Sequence, residues 1–147
     1  MACREPDDGM IREARLEEIE ALVLVLERYH ATTTWAETGF DRESVEYLCR
    51  EMIESDDCLF LVNDEMTGFG MFHIATLPFA HKVKMVGEIA FYGGGSALEL
   101  LRKAEEWARK KGAYMMVMNE HPGTRSPAKI YERKGFRMFE KSYRKVL

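Results

Sequence analysis

The sequence predicts an α/β domain built on a mixed sheet of six or seven strands, and three observations carry that expectation. Residues 58–92 hold three apolar runs separated by short reversals, the pattern of an antiparallel meander. Residues 83–118 read as strand, glycine turn, amphipathic helix and strand, which together make a right-handed parallel crossover. Two earlier stretches carry apolar residues at helical spacing.

In chain order, Met10 to Ala14 is short enough for an edge strand. Leu16, Ile19, Leu22, Val23 and Leu26 recur at helical spacing up to Tyr29, and the extra Leu24 and Val25 predict burial on more than one side. His30 to Phe40 reads as irregular, with three threonines and Gly39. Asp41 is suited to N-cap a second helix whose Val45, Leu48, Cys49, Met52 and Ile53 form one stripe, which makes Cys49 a core residue. The meander strands are Cys58 to Asn63, Phe69 to Leu77 and Val83 to Tyr92, turning at Asp64–Gly68 and Pro78–His81. Gly87 interrupts the alternation of the third and reads as a bulge or a close approach. Ala97, Leu98, Leu101, Ala104, Trp107 and Ala108 predict an amphipathic helix, with Arg109, Lys110 and Lys111 at its negative end and Gly112 closing it. Tyr114 to Met118 is apolar on both sides, as a strand in the middle of a sheet would be. Arg125 to Lys134 reads as a shorter helix ended by Gly135, and Phe136 to Val146 as one or two closing strands.

A chain of 147 residues that is 46% hydrophobic can bury a core of its own, so residues 1–147 are expected to form one domain, with 1–9 as a flexible tail. The net charge of −4, with basic and acidic residues interspersed, gives no nucleic-acid footprint. Cys3, Cys49 and Cys58 are odd in number and lack metal spacing, which predicts free thiols, no metal and a cytoplasmic setting. The apolar run Ala21 to Leu26 falls far short of the roughly 20 residues a membrane span needs.

The chemistry concentrates at Phe91 to Leu101, "FYGGGSALELL". A glycine-rich turn that opens a helix lets bare backbone N–H groups approach a phosphate while the helix adds its positive end. The same pattern also serves as a plain connecting turn. There is no Gly-Lys-Ser/Thr motif, and the third glycine of the dinucleotide fingerprint is missing.

With "GGGSALELLRKAEEWARKKGA", the apolar "YMMVMN" after it and "IYERKGF" at Ile130 to Phe136, the chain resembles the GNAT superfamily of N-acyltransferases. The likeness extends loosely from "IREARLEEIEAL" to "YRKVL". It implies a mostly antiparallel sheet with helices on both faces and a parallel central strand pair, splayed to hold acetyl-CoA. It further implies a pyrophosphate seat on the N–H groups of Gly93, Gly94, Gly95, Ser96 and Ala97, and a pantetheine arm pairing with Ile89, Ala90 and Phe91. Asn119 stands nearby. Ala90 occupies a place where many members carry Arg or Gln, Tyr92 abuts Gly93 without the usual spacer, and Thr124 replaces a common asparagine.

The implied reaction is acetyl transfer to a primary amine of a small molecule or a protein, by direct attack on the thioester. Tyr131 matches the tyrosine that protonates the departing thiolate in many members. A phenol of pKa ~10 and a thiol of pKa ~8.5 are near balance for that transfer. An amine of pKa ~10.4 must first lose a proton, and Glu88 in "GEIAFY", His73 and His121 are the candidate bases. Trp35 and His73 are candidates for the acceptor side. The alternative is a degenerate domain of this fold that serves as a protein-binding module, and a homodimer is compatible with either.

Overall fold

The computed structural model describes residues 11–121 and 126–147; the expected tail 1–9, Met10, Thr124 and Arg125 lie outside the described residues. Strands β1 (Ile11–Glu13), β2 (Cys58–Asn63), β3 (Phe69–Leu77), β4 (Ala80–Tyr92) and β5 (Met115–Val117) form one sheet in that order. The first four pair antiparallel, and β5 runs parallel to β4. Helices α1 (Ile19–His30), α2 (Arg42–Glu54), α3 (Ala97–Lys110) and α4 (Ala128–Arg133) complete the described elements, with 3-10 turns at Leu16–Glu18 and Ala36–Thr38.

Strand alternation splits the interior into two cores. Phe60 and Val62 of β2 face α1 and α2, with Val23, Leu26, Cys49, Met52 and Met71. Leu59 and Leu61 of the same strand face α3 and α4, with Phe72, Val86, Leu100, Leu101 and Tyr131. Each such apolar side chain, when fully buried, contributes roughly 1.5–3 kcal/mol, so both helical layers are held by burial rather than propensity. The second helix starts where expected, because the Asp41 carboxylate accepts from the Glu43 and Ser44 N–H groups and from Ser44 Oγ. Cys49 and Cys58 are free thiols, and Cys49 is wholly buried.

Three expectations need correction. The described sheet has five strands, not six or seven. The missing ones are the closing strands: residues 136–147 make no ladder, and Met138, Phe139, Tyr143, Val146 and Leu147 remain exposed. Without closing strands the parallel pair sits at the sheet edge rather than its centre, and β5 is half-buried and three residues long. Third, the irregularity in β4 falls at Ile89, not Gly87: Met71 pairs with Ala90 and Phe72 with Glu88, leaving Ile89 as the extra residue. Gly87 is instead the close approach, since a β-carbon there would stand 3.0 Å from the His73 ring. Among the described residues no helix is long and apolar enough to cross a membrane, and no cluster of candidate ligands could hold a metal.

Candidate active site

The glycine loop is shaped by the β2–β3 turn beneath it. A β-carbon on Gly68 would stand 2.3 Å from Gly93 O, and one on Gly94 would stand 2.0 Å from Thr67 O. Two backbones therefore touch where no side chain fits. Gly94 and Gly95 also hold positive φ, at 55° and 90°, but Gly95 has open space where its β-carbon would be. The Ser96 N–H donates to Gly93 O at 2.8 Å and closes the turn, while the N–H groups of Gly94 and Gly95 find no protein acceptor among the described residues. The helix α3 begins at the next residue, so its unpaired first N–H groups and positive end face the same space.

The other half of the site forms where β4 and β5 part. Their ladder covers Met85–Gly87 against Met115–Val117 and goes no further. One step on, the Glu88 carboxylate accepts the Asn119 N–H at 3.0 Å, and Asn119 Nδ2 donates to Glu88 O at 3.4 Å. The Tyr131 hydroxyl, carried by α4, donates to Asn119 O at 3.0 Å. Its ring lies 6.3 Å from that of Phe91. Side chains thus bridge a gap that backbone pairing has left.

Burial controls the charges here. It pushes the Glu88 carboxyl up to about 7, against the opposing hydrogen bonds from Asn119. Burial first, then the Glu88 charge, holds the Tyr131 phenol well above its ordinary range. The same two causes raise Tyr29 to about 12. Burial lowers His121, which favours the neutral imidazole. Both phenols therefore keep their protons at neutral pH, and Glu88 stands near its midpoint.

A cleft of about 790 Å³ joins the two halves, a size suited to a small-molecule site. It is lined by Glu88, Phe91, Gly93, Gly94, Gly95, Ser96, Ala97, Asn119 and Tyr131, all sequence-predicted site residues. Four others lie apart from it. Ala90 is buried in the core under α1 and α2, and Ile89 is the partly exposed bulge residue. His73 pairs with Gly87 in mid-sheet, its Nδ1 buried without a hydrogen-bond partner. Trp35 is exposed under the Arg144 guanidinium, 5.8 Å from its ring centre.

The cleft also contains Tyr29, Thr32, Thr33, Thr67 and His121. Tyr29 stacks edge-on against Phe69, and its hydroxyl is 3.5 Å from His121 Nε2; the Thr34 hydroxyl is 2.9 Å from His121 Nδ1. Sequence reasoning missed Tyr29 as a site residue, although it continues the stripe of Leu22 and Leu26 with a polar end. Asn63 was missed too; its signal is an asparagine closing an otherwise apolar strand.

No protein-family model matches the chain, and no curated protein is significantly similar to it. Solved structures are similar over nearly all of it. A putative acetyl transferase from Pyrococcus furiosus has 22% identity and a TM-score of 0.68, covering 93% of this chain and 98% of that one. The ribosomal-protein-alanine N-acetyltransferase from Brucella melitensis biovar Abortus 2308 has 16% identity and a TM-score of 0.68, covering 93% and 97%. A predicted acetyltransferase with acetyl-CoA from Clostridium acetobutylicum has 12% identity and a TM-score of 0.69, covering 92% and 94%. Over nearly its whole length the chain thus has the GNAT acetyltransferase fold.

Proposed function

We propose that this protein is an acetyl-CoA-dependent N-acetyltransferase acting on a primary amine of a small molecule or a protein by direct attack on the thioester. The observation that supports this best is the meeting of Glu88, Asn119 and Tyr131 at the point where β4 and β5 part. The residues present fit the cofactor. Gly95 leaves open space, the N–H groups of Gly94 and Gly95 are unengaged among the described residues, and the positive end of α3 favours an anion. The loop Gly93 to Ala97 would hold the pyrophosphate. Ile89 to Phe91, on a strand whose backbone ladder with β5 ends at Gly87, would hold the pantetheine arm. When bound, acetyl-CoA supplies an activated carbonyl carbon and a thiolate leaving group.

The chain's own residues handle the protons. Ionised Glu88 accepts a proton from the incoming ammonium, directly or through water, and its elevated pKa of about 7 makes it a better base than an ordinary carboxylate. Tyr131 keeps its proton until a thiolate forms. Part of what holds that proton is the Glu88 charge, so protonation of Glu88 makes the phenol a readier donor. Base and acid act in sequence, the first priming the second.

Acetyl-CoA at 100 times its Kd should stabilise the fold by about 2.7 kcal/mol, a Tm rise of roughly 5–10 °C. No shift at millimolar acetyl-CoA refutes the proposal. Tyr131→Phe should lower kcat by roughly 100-fold or more with acetyl-CoA affinity unchanged; unchanged turnover removes Tyr131 from the mechanism.

A further inference from the structure

The β2–β3 turn does more than support the glycine loop. Asn63, at 1% exposure, is the buried polar residue among the described residues. Its Oδ1 accepts two backbone N–H groups, from Thr67 at 2.8 Å and Gly68 at 3.0 Å. Those two donors fix the amide orientation, because an amide nitrogen there would face two N–H groups. Nδ2 must then be the donor, and it donates to Thr67 Oγ1 at 2.8 Å and Ser96 Oγ at 3.3 Å.

A hydroxyl that accepts from an amide still has its own hydrogen to give. Neither the Thr67 nor the Ser96 hydroxyl has a protein acceptor among the described residues, and both residues line the cleft beside Gly94 and Gly95. We infer that Asn63 is a positioning residue that turns both hydroxyls into outward donors, so that the β2–β3 turn supplies Thr67 as a further ligand of the cofactor's phosphates. The glycine contacts agree, since Thr67 O lies close enough to Gly94 to leave no room for a β-carbon between turn and loop. The loop that follows β4 without a spacer thus takes a phosphate ligand from the neighbouring turn. This inference rests on the acetyl-CoA reading of the cleft.

The test compares Thr67→Val and Thr67→Ser with the unaltered chain, using coenzyme A in calorimetry and two acyl donors in kinetics, acetyl-CoA and the phosphate-free acetyl-pantetheine. Valine keeps the shape, and the Asn63 bonds to backbone remain. Loss of one hydroxyl donor to a charged phosphate should weaken coenzyme A roughly 10-fold and raise KM for acetyl-CoA similarly, with kcat little changed. KM for acetyl-pantetheine should not move, and serine should restore binding. Asn63→Asp, which replaces the amide donor with an acceptor and draws both hydroxyls inward, should weaken coenzyme A more than Thr67→Val does. Unchanged coenzyme A binding in Thr67→Val, or an equal loss with acetyl-pantetheine, overturns the inference while leaving the acetyltransferase reading intact. If the unaltered chain binds no coenzyme A, both fall together.

Discussion

The glycine end of the cleft and the exposed contact between the loop at 31–40 and the segment at 136–147 are built on different physical terms. At the glycine end, two backbones press together at Gly68, Gly93 and Gly94, and a buried asparagine ties the turn to the start of α3. In the second region, the loop at 31–40 and the segment at 136–147 are largely exposed, and they meet through Arg144, which donates to Thr34 O at 2.6 Å and pairs with Glu37 at 3.1 Å. Close backbone packing fixes a shape and tolerates no added atom. Exposed ion pairs are worth little and fix little.

The sharpest way to break this comparison is Gly94→Ala. Its new β-carbon would overlap Thr67 O in a left-handed backbone, so the change should cost about 2–5 kcal/mol and abolish acetyl-CoA binding. Gly95→Ala, equally left-handed but open, should cost only about 1–2 kcal/mol in the same thermal melts. Equal costs would show that backbone conformation, not contact with the turn, shapes the loop.

Glu88 lines the cleft, and Glu88→Gln should lower kcat by about 100-fold or more. In the unaltered chain the rate should rise with pH through about 7, as Glu88 ionises, and in the variant that limb should vanish. Stability should run the other way. The folded state raises this carboxyl from its ordinary 4.5 to about 7, so the fold favours the protonated form. That contribution is complete below 4.5 and is lost as pH rises through 7. Melting curves should therefore favour the glutamine variant increasingly between pH 4.5 and 7, with a constant gap above about 7. A parallel pH dependence of the two proteins contradicts the buried setting of Glu88.

The smallest effect is expected at the exposed contact. Arg144→Ala should shift stability by less than about 1 kcal/mol in thermal melts. KM for acetyl-CoA should stay constant; a change there would mean that this contact and the glycine loop are not independent.

Much of this was legible because it depends on neighbours in sequence. The stripes of α1, α2 and α3, the Asp41 cap and the three-strand meander all follow from local periodicity and turn chemistry. The site was partly legible, since Glu88, Asn119 and Tyr131 were singled out and the fold brings them together. Their hydrogen-bonded linkage was not, because it joins residues far apart in the chain. Trp35 and His73 were chosen by residue type and region. One is exposed under Arg144 and the other is enclosed against Gly87, differences that composition does not encode.

The sequence by itself determined where helices and strands form, which faces are apolar, and that a glycine turn opens α3, because side-chain period and backbone freedom are local properties. Only the tertiary structure decided what the glycines are for. Gly93 and Gly94 make room for Ala97 and the β2–β3 turn respectively, while Gly95 alone of the three stays open. It also decided that residues 136–147 add no strand to the described sheet and that the β4 bulge falls at Ile89. Those outcomes depend on which backbone atoms of distant segments meet, and steric exclusion between distant segments leaves no periodic trace in a chain.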